Sequence, residues 1–224
     1  MSFDGVRLYL LRHGEVESHR GDVPITTAAL AHAREVGGRL GQIEEGPFLI
    51  LSGETRRALQ TAEEVAGGLV DSGASAEGPI VAHALRNPDL YLAGVRVNMV
   101  SSADALAAQV PGLNPEDVAD LPFYPQFFEE SDRIGWWLGL DDPPGEDAGA
   151  VAARIDSFAR SLADPRPTRP PVVVAVTHSP LLRAVGLAAL GKDIGEPEWV
   201  SGLLLEVNDQ GEITTRLFPG SDDS

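Results

Sequence analysis

An apolar run from Val6 to Leu11 stops abruptly at Arg12-His13-Gly14-Glu15, and this junction constrains the fold more than any other feature. Leu8-Tyr9-Leu10-Leu11 shows no polar alternation, so it reads as a strand buried on both faces, as in a parallel sheet covered by helices. In open α/β sheets, ligands sit in the crevice outside the carboxyl ends of the strands. Arg12 and His13 fall there. The pattern recurs near the other end of the chain, where Val172-Val173-Val174-Ala175-Val176 is followed by Thr177-His178-Ser179. Two buried strands each deliver a histidine at their carboxyl end.

Between these two strands the chain alternates. Thr26 or Thr27 caps a helix running to about Gly41, and Phe48 to Leu51 forms a second strand ending at Ser52-Gly53. A helix from about Thr55 to Leu69 follows, then a short strand from Pro79 to Ala82. This spacing is that of βαβ units. From Leu85 to Gly145 the rhythm is lost: Tyr91, Phe123, Tyr124, Phe127, Phe128, Trp136 and Trp137 cluster among prolines, with short helices expected at 102–109, 115–121 and 129–138. We read this segment as a helical lid inserted over the strand ends. An amphipathic helix over 146–163, the Val172 strand and a helix from Pro180 to Leu190 complete the pattern. The stretches 200–207 and 213–218, around Asn208-Asp209-Gln210-Gly211, read as an edge hairpin, and the residues after Pro219 as an acidic tail. The expected architecture is an α/β, three-layer α/β/α sandwich with a mostly parallel central sheet, an edge hairpin and a helical lid insertion, in a single domain spanning 1–224.

Charge narrows the function. With 17 basic against 34 acidic residues the formal net charge is −17, which disfavours nucleic acid or an anionic membrane surface as partner. A phosphate-handling site on such a chain must be a local island of positive charge. The absence of cysteine rules out thiolate metal sites and thiol nucleophiles. Neither a secretory signal nor a bilayer-spanning run is present, so the chain reads as soluble and cytoplasmic.

A further strand end, that of the Phe48–Leu51 strand, carries Ser52-Gly53-Glu54-Thr55-Arg56-Arg57-Ala58-Leu59-Gln60-Thr61-Ala62, which places two arginines in the first turn of a helix. Free N–H groups and the dipole already attract anions to a helix amino terminus. A guanidinium there adds bidentate recognition of phosphate oxygens; Arg57 takes this role and Arg56 a solvated face.

These motifs resemble the histidine phosphatase superfamily, which includes the cofactor-dependent phosphoglycerate mutases. Arg12-His13-Gly14-Glu15 matches its signature after the first strand, and Ser52 through Ala62 its second motif, with Arg57 five residues after the serine. Asp22-Val23-Pro24-Ile25-Thr26 is similar to the family's Asp-x-Pro-Leu-Thr approach to the first helix. Pro144-Gly145-Glu146-Asp147 is similar to its Gly-Glu-Ser step, and Thr177-His178-Ser179 to its second-histidine motif. The resemblance implies a phosphomonoester hydrolase in which His13 carries the phosphoryl group as phosphohistidine while Arg12, Arg57 and His178 surround its oxygens. It implies no cofactor and no metal.

Two departures from the family pattern stand out. Where mutase-branch members place a glutamate that protonates the leaving oxygen, this chain has Asn87, in Leu85-Arg86-Asn87-Pro88-Asp89. Asp89 is the nearest replacement, with Glu54 a poorer one. Without an acid, a contribution of roughly 10²–10⁴-fold is lost and only good leaving groups are served well. Where many members have a phosphate-contacting asparagine, this chain has His19, which either donates to substrate together with Ser179 or lies exposed. His32 reads as structural and His83 as a core histidine or a pocket residue. Only Arg86, Arg96 and Arg133 supply positive charge to the lid, against a doubly phosphorylated sugar acid. Its aromatics suggest a small phosphorylated metabolite with an apolar or planar body. A phosphomutase and a catalytically weak phosphate-binding or regulatory module remain the alternatives, and the edge hairpin is compatible with a homodimer.

Overall fold

The computed structural model describes residues 5–18, 21–164 and 170–219. In chain order the elements are β1 (Gly5–Arg12), α1 (Thr27–Ile43), β2 (Phe48–Ser52), α2 (Arg56–Asp71) and β3 (Ala76–Val81). The segment that follows holds a small hairpin, β4 (Leu90–Leu92) and β5 (Val95–Val97), then α3 (Ala103–Ala107), α4 (Tyr124–Glu129) and α5 (Arg133–Leu138). The chain then returns through α6 (Ala148–Leu162), β6 (Val172–Thr177), α7 (Ser179–Leu190), β7 (Gly202–Asn208) and β8 (Ile213–Phe218). His19, the 165–169 part of the proline-rich connector and the acidic tail beyond Pro219 lie outside the described residues.

The strands form a six-stranded sheet in the order β3-β2-β6-β1-β7-β8. β1, β2, β3 and β6 are parallel, while β7 and β8 run antiparallel at one edge, as the hairpin pattern predicts. Alternate side chains of a strand point to opposite faces, and β1 shows the consequence. Leu8 and Leu10 enter a core with Val151, Ile155, Leu181 and Leu182 of α6 and α7. Tyr9 and Leu11 enter a second core with Ala33, Val36, Val65 and Leu69 of α1 and α2. All four β1 side chains are essentially inaccessible to water. Burial of one such side chain contributes about 1.5–3 kcal/mol, so both faces of β1 must be covered, and the three-layer sandwich follows.

The segment between β3 and α6 builds a small core of its own from Leu90, Val97, Leu106, Val110, Val118 and Tyr124. Two details differ from the sequence pattern. The helix expected over 129–138 is shortened to α5, which Asp132 caps by accepting from the Gly135 N–H at 2.9 Å, and a separate helix, α4, with Pro125 in its first turn, precedes it. The β4–β5 hairpin was not expected. Its two-residue turn is Ala93-Gly94, both with positive φ (50° and 79°), a pairing without the usual Asn-Gly signal. His32 and His83 are exposed on the surface rather than in a core, which corrects the structural reading of the first and the core reading of the second. No helix among the described residues is long and apolar enough to cross a membrane.

Helices α1 and α2 meet through glycine. A Cβ at Gly68 would lie 1.9 Å from the Arg34 carbonyl oxygen, and one at Gly37 2.1 Å from that of Val65. Backbone cannot rotate away from such a clash. Gly68→Ala is therefore expected to lower stability by about 2 kcal/mol in urea unfolding, since overpacking outweighs the roughly 1 kcal/mol gain in helix propensity.

Candidate active site

Strand register assembles the site. β1 and β6 are neighbours with Arg12 opposite Thr177, and the His13 N–H donates to the Thr177 carbonyl at 3.0 Å. The next residue on each strand is a histidine. Their rings lie 5.3 Å apart, centroid to centroid, in an edge-on arrangement. β2 pairs with the other side of β6, and the Gly53 N–H donates to the Val176 carbonyl at 2.9 Å. The carboxyl ends of three adjacent strands are thus level, and α2 starts immediately beyond the third.

His13 is buried and its two ring nitrogens have distinct partners. Nδ1 lies 2.8 Å from the Gly14 carbonyl, and the Arg57 Nε–H points at Nε2 from 3.3 Å. A carbonyl can only accept and a guanidinium can only donate, so the proton belongs on Nδ1 and the lone pair on Nε2. The second motif supplies the scaffold. Thr61 Oγ1 accepts from the Gly14 N–H at 2.9 Å and donates to the Arg57 carbonyl at 2.7 Å. Gln60 Oε1 accepts from the Ile25 N–H at 3.1 Å. The Gly14 peptide that orients His13 is therefore tied to the helix that carries Arg57.

His178 caps the start of α7 and is almost wholly buried, with Nε2 3.4 Å from Thr55 Oγ1. Burial, and then the nearby charges of Arg57, His13 and Arg12, push its pKa well below the ordinary histidine value. It is neutral at physiological pH in the absence of ligand. Arg12 is 7% exposed: its guanidinium stacks 3.4 Å above the Trp199 ring and donates to the Pro197 carbonyl and to Glu196 at 2.6 Å each. His13, Arg12, Arg57 and His178 thus come together as the sequence pattern predicts.

Other candidates do not join them. Asp89, the expected proton donor, lies between two arginines. Arg86 grips it with contacts of 2.6–3.1 Å, and Arg96 bonds it from the other side. Burial raises the Asp89 carboxyl, but these hydrogen bonds prevail and carry it down to about 2, so it holds no proton to give at neutral pH. Its backbone N–H donates to Glu146, which Arg154 holds in turn, so Asp89 joins the segment after β3 to α6. Asn87 is buried, its side-chain oxygen without a hydrogen-bond partner. The Ser179 hydroxyl donates to Glu196 at 2.5 Å instead of standing open to substrate. His19 lies outside the described residues.

A cavity of about 740 Å³ opens beside Arg57, lined by Asp22, Glu54, Thr55 and the 98–109 stretch. A second, of about 450 Å³, lies across Met99 and Val100, lined by Phe127, Asp132, Arg133, Arg183 and Glu196. The aromatics after β3 mostly pack on one another: Phe123 stacks on Phe127 and both contact Trp136, while Trp137 is wholly buried. The aromatic ring at the site is instead Trp199, 5.6 Å from His13 and absent from the residues singled out by sequence. Glu196 and Thr55 were missed as well. A lone tryptophan in the polar stretch Glu196-Pro197-Glu198-Trp199, directly ahead of an apolar strand, was the available signal.

Residues 8–74 match the sequence pattern of the histidine phosphatase superfamily (branch 1). Among curated proteins no sequence match was found. Solved structures share the fold over nearly the whole chain. A mycobacterial glucosyl-3-phosphoglycerate phosphatase aligns with 22% identity, covering 96% of this chain and 97% of its own, at a TM-score of 0.58. A phosphoglycerate mutase from Bacillus anthracis aligns with 18% identity over 99% and 96%, also at 0.58. A putative α-ribazole-5′-P phosphatase from Escherichia coli aligns with 16% identity over 96% of each chain, at 0.55. The sequence match bears out the resemblance over residues 8–74, and the solved structures bear out the fold.

The depressed pKa of His178 has a measurable sign. In the unfolded chain this ring takes up its proton near pH 6.5, whereas in the folded protein it stays neutral to lower pH. Its contribution to stability is therefore complete above about pH 6.5 and declines as pH falls below it. NMR titration should show one buried histidine with an apparent pKa well below the ordinary value of about 6.5, moving upward when inorganic phosphate is added.

Proposed function

We propose that this chain, which resembles the histidine phosphatase superfamily in its amino-terminal sequence and in its fold, hydrolyses phosphate monoesters through phospho-His13. The observation that carries the reading is the β1–β6 register, which sets two histidines side by side with the Arg57 guanidinium directed at Nε2 of the first. His13 Nε2 attacks phosphorus in line, and the ester P–O bond breaks as the N–P bond forms, its electron pair leaving with the alcohol oxygen. Water then attacks the phosphohistidine, breaks the N–P bond and releases inorganic phosphate. Arg12, Arg57 and His178 stabilise charge on the equatorial oxygens, and the start of α7 adds its dipole.

Proton delivery to the leaving group sets the expected selectivity. Asp89 is ionised and Asn87 cannot act as an acid, which leaves Glu54, on the wall of the cavity beside Arg57, as the carboxyl placed to serve. Glu54 is already engaged by Arg96 at 3.0 Å rather than open to a leaving group. We therefore expect good leaving groups to be strongly preferred. The substrate is a small phosphorylated metabolite. Because the aromatics after β3 are spent on their own packing, a planar substrate body draws no support from them, and the cavity wall of Asp22, Glu54 and Asp104 suits a polar, hydroxylated one.

Hydrolysis of an activated aryl phosphate tests the reading. Activity should vanish in His13→Ala, and acid-labile, base-stable phosphate should be trapped on the wild-type protein alone. Arg57→Ala should lower kcat by roughly 10²–10³-fold, the usual cost of one oxyanion donor. A wild type that binds phosphate yet turns over no ester would favour the regulatory module.

Alkyl esters should be turned over far more slowly than aryl esters, with a gap of about 10²-fold or more beyond their intrinsic difference in a panel of graded leaving groups. Asp89→Asn should leave that leaving-group dependence unchanged, since an ionised carboxylate contributes no proton.

A further inference from the structure

We infer that residues 196–199 form a clamp that aims Arg12, and that Glu196 is a positioning residue for phosphoryl transfer; the inference rests on the reading of His13 as phosphoryl acceptor. One short stretch meets Arg12 on three sides. The Glu196 carboxylate takes one terminal nitrogen at 2.6 Å, the Pro197 carbonyl takes the other at 2.6 Å, and the Trp199 ring covers one guanidinium face at 3.4 Å. The Ser201 carbonyl holds the Arg12 backbone N–H at 2.8 Å. Nε, by contrast, is buried and makes no hydrogen bond within the protein. A guanidinium has five N–H donors, and the clamp engages its far end while leaving the Nε edge to bond phosphoryl oxygens. A buried donor is costly to leave unpaired, so this edge is built for a ligand.

The clamp itself is anchored. Glu196 Oε2 accepts from Ser179 Oγ at 2.5 Å, at the first turn of α7. Arg183, one turn further along the same helix and 1% exposed, bonds Asp193 at 2.5–2.9 Å, while Asp193 also accepts from the Gly195 N–H at 3.0 Å. The other side of the Arg183 guanidinium bonds Asp132, the cap of α5, at 2.7 Å. The stretch before Glu196 is thereby fastened both to α7 and to the segment between β3 and α6. Beyond Trp199, Val200 is buried with φ of +57°, a conformation a β-branched residue adopts only when its surroundings impose it. That turn carries the chain from the clamp into β7. Glu196 touches no reacting atom in this arrangement; it acts through Arg12.

The carboxylate has two conceivable effects, and they oppose each other. As an acceptor it fixes the guanidinium, which favours the transition state. As a negative charge it competes with the phosphate for Arg12. Glu196 is half exposed, so its charge is well screened while its hydrogen bond is short, and fixation prevails.

The test uses the full chain, with orthovanadate and inorganic phosphate binding by calorimetry beside aryl phosphate kinetics. Glu196→Ala should lower kcat/KM by roughly 10²-fold, as expected for a misplaced catalytic group, and weaken vanadate binding more than phosphate binding. Glu196→Gln keeps the acceptor and removes the charge, so it should retain kcat/KM and vanadate affinity within a few-fold, with the acid limb of its pH–rate profile unmoved. Thermal melting of both variants separates misfolding from misalignment. An Ala variant as active as wild type, or one that binds vanadate more tightly, overturns the inference and makes Glu196 a competing charge. A Gln variant as impaired as Ala, or one that loses the acid limb, overturns it in favour of proton transfer by Glu196. If wild type neither binds vanadate nor cleaves the ester, the phosphatase reading itself has failed.

Discussion

The parallel pairing of β1 with β6 is the contact on which the site depends. A one-residue slip would reverse the faces of β1, exposing Leu8 and Leu10 or Tyr9 and Leu11 to the wrong core. Both faces are buried, so the register is held by every apolar side chain along the two strands. The same register sets Arg12 opposite Thr177 and thereby His13 beside His178. Packing of aliphatic side chains in the sheet thus determines the spacing of two imidazoles at its end. The chemistry is placed by a core that takes no part in it.

Positive charge is the scarce resource in a chain of net charge −17. Most of the arginines after β3 and on α7 are committed to structure: Arg86 and Arg96 to Asp89, Arg154 to Glu146, Arg183 to Asp132 and Asp193. Arg12 is buried and Arg57 partly buried, without a full complement of carboxylates, and desolvation disfavours their charged form. The pocket is thus electrostatically unsatisfied until an anion enters. That condition suits recognition of an anion, and it adds to the burial that keeps the neighbouring His178 neutral.

Much of this was legible in the residue pattern. The strands of the main sheet, the main helices with the Thr26 cap of the first, and the meeting of His13, His178, Arg12 and Arg57 follow from apolar runs ending in polar motifs. Asp89 misled because a carboxylate two residues from the expected position looks available in one dimension. Arg96, on the neighbouring hairpin strand, turns it into half of an ion pair. The aromatics misled similarly: clustering in sequence does not distinguish a ligand-facing set from a self-packed one, and here Phe123, Phe127 and Trp136 chose one another.

Sequence alone determined the layered α/β architecture and the strand ends at which His13, His178, Arg12 and Arg57 stand, because hydrophobic periodicity and strand-end motifs are local and repeat along the chain. Only the tertiary structure decided which ionisable groups are free to react. Whether a carboxylate or guanidinium is free depends on the partners it meets across long sequence separations, as Arg12 meets Glu196 and Trp199 from the far end of the chain. Those encounters are set by how the sheet and its covering helices close, and no one-dimensional pattern encodes them.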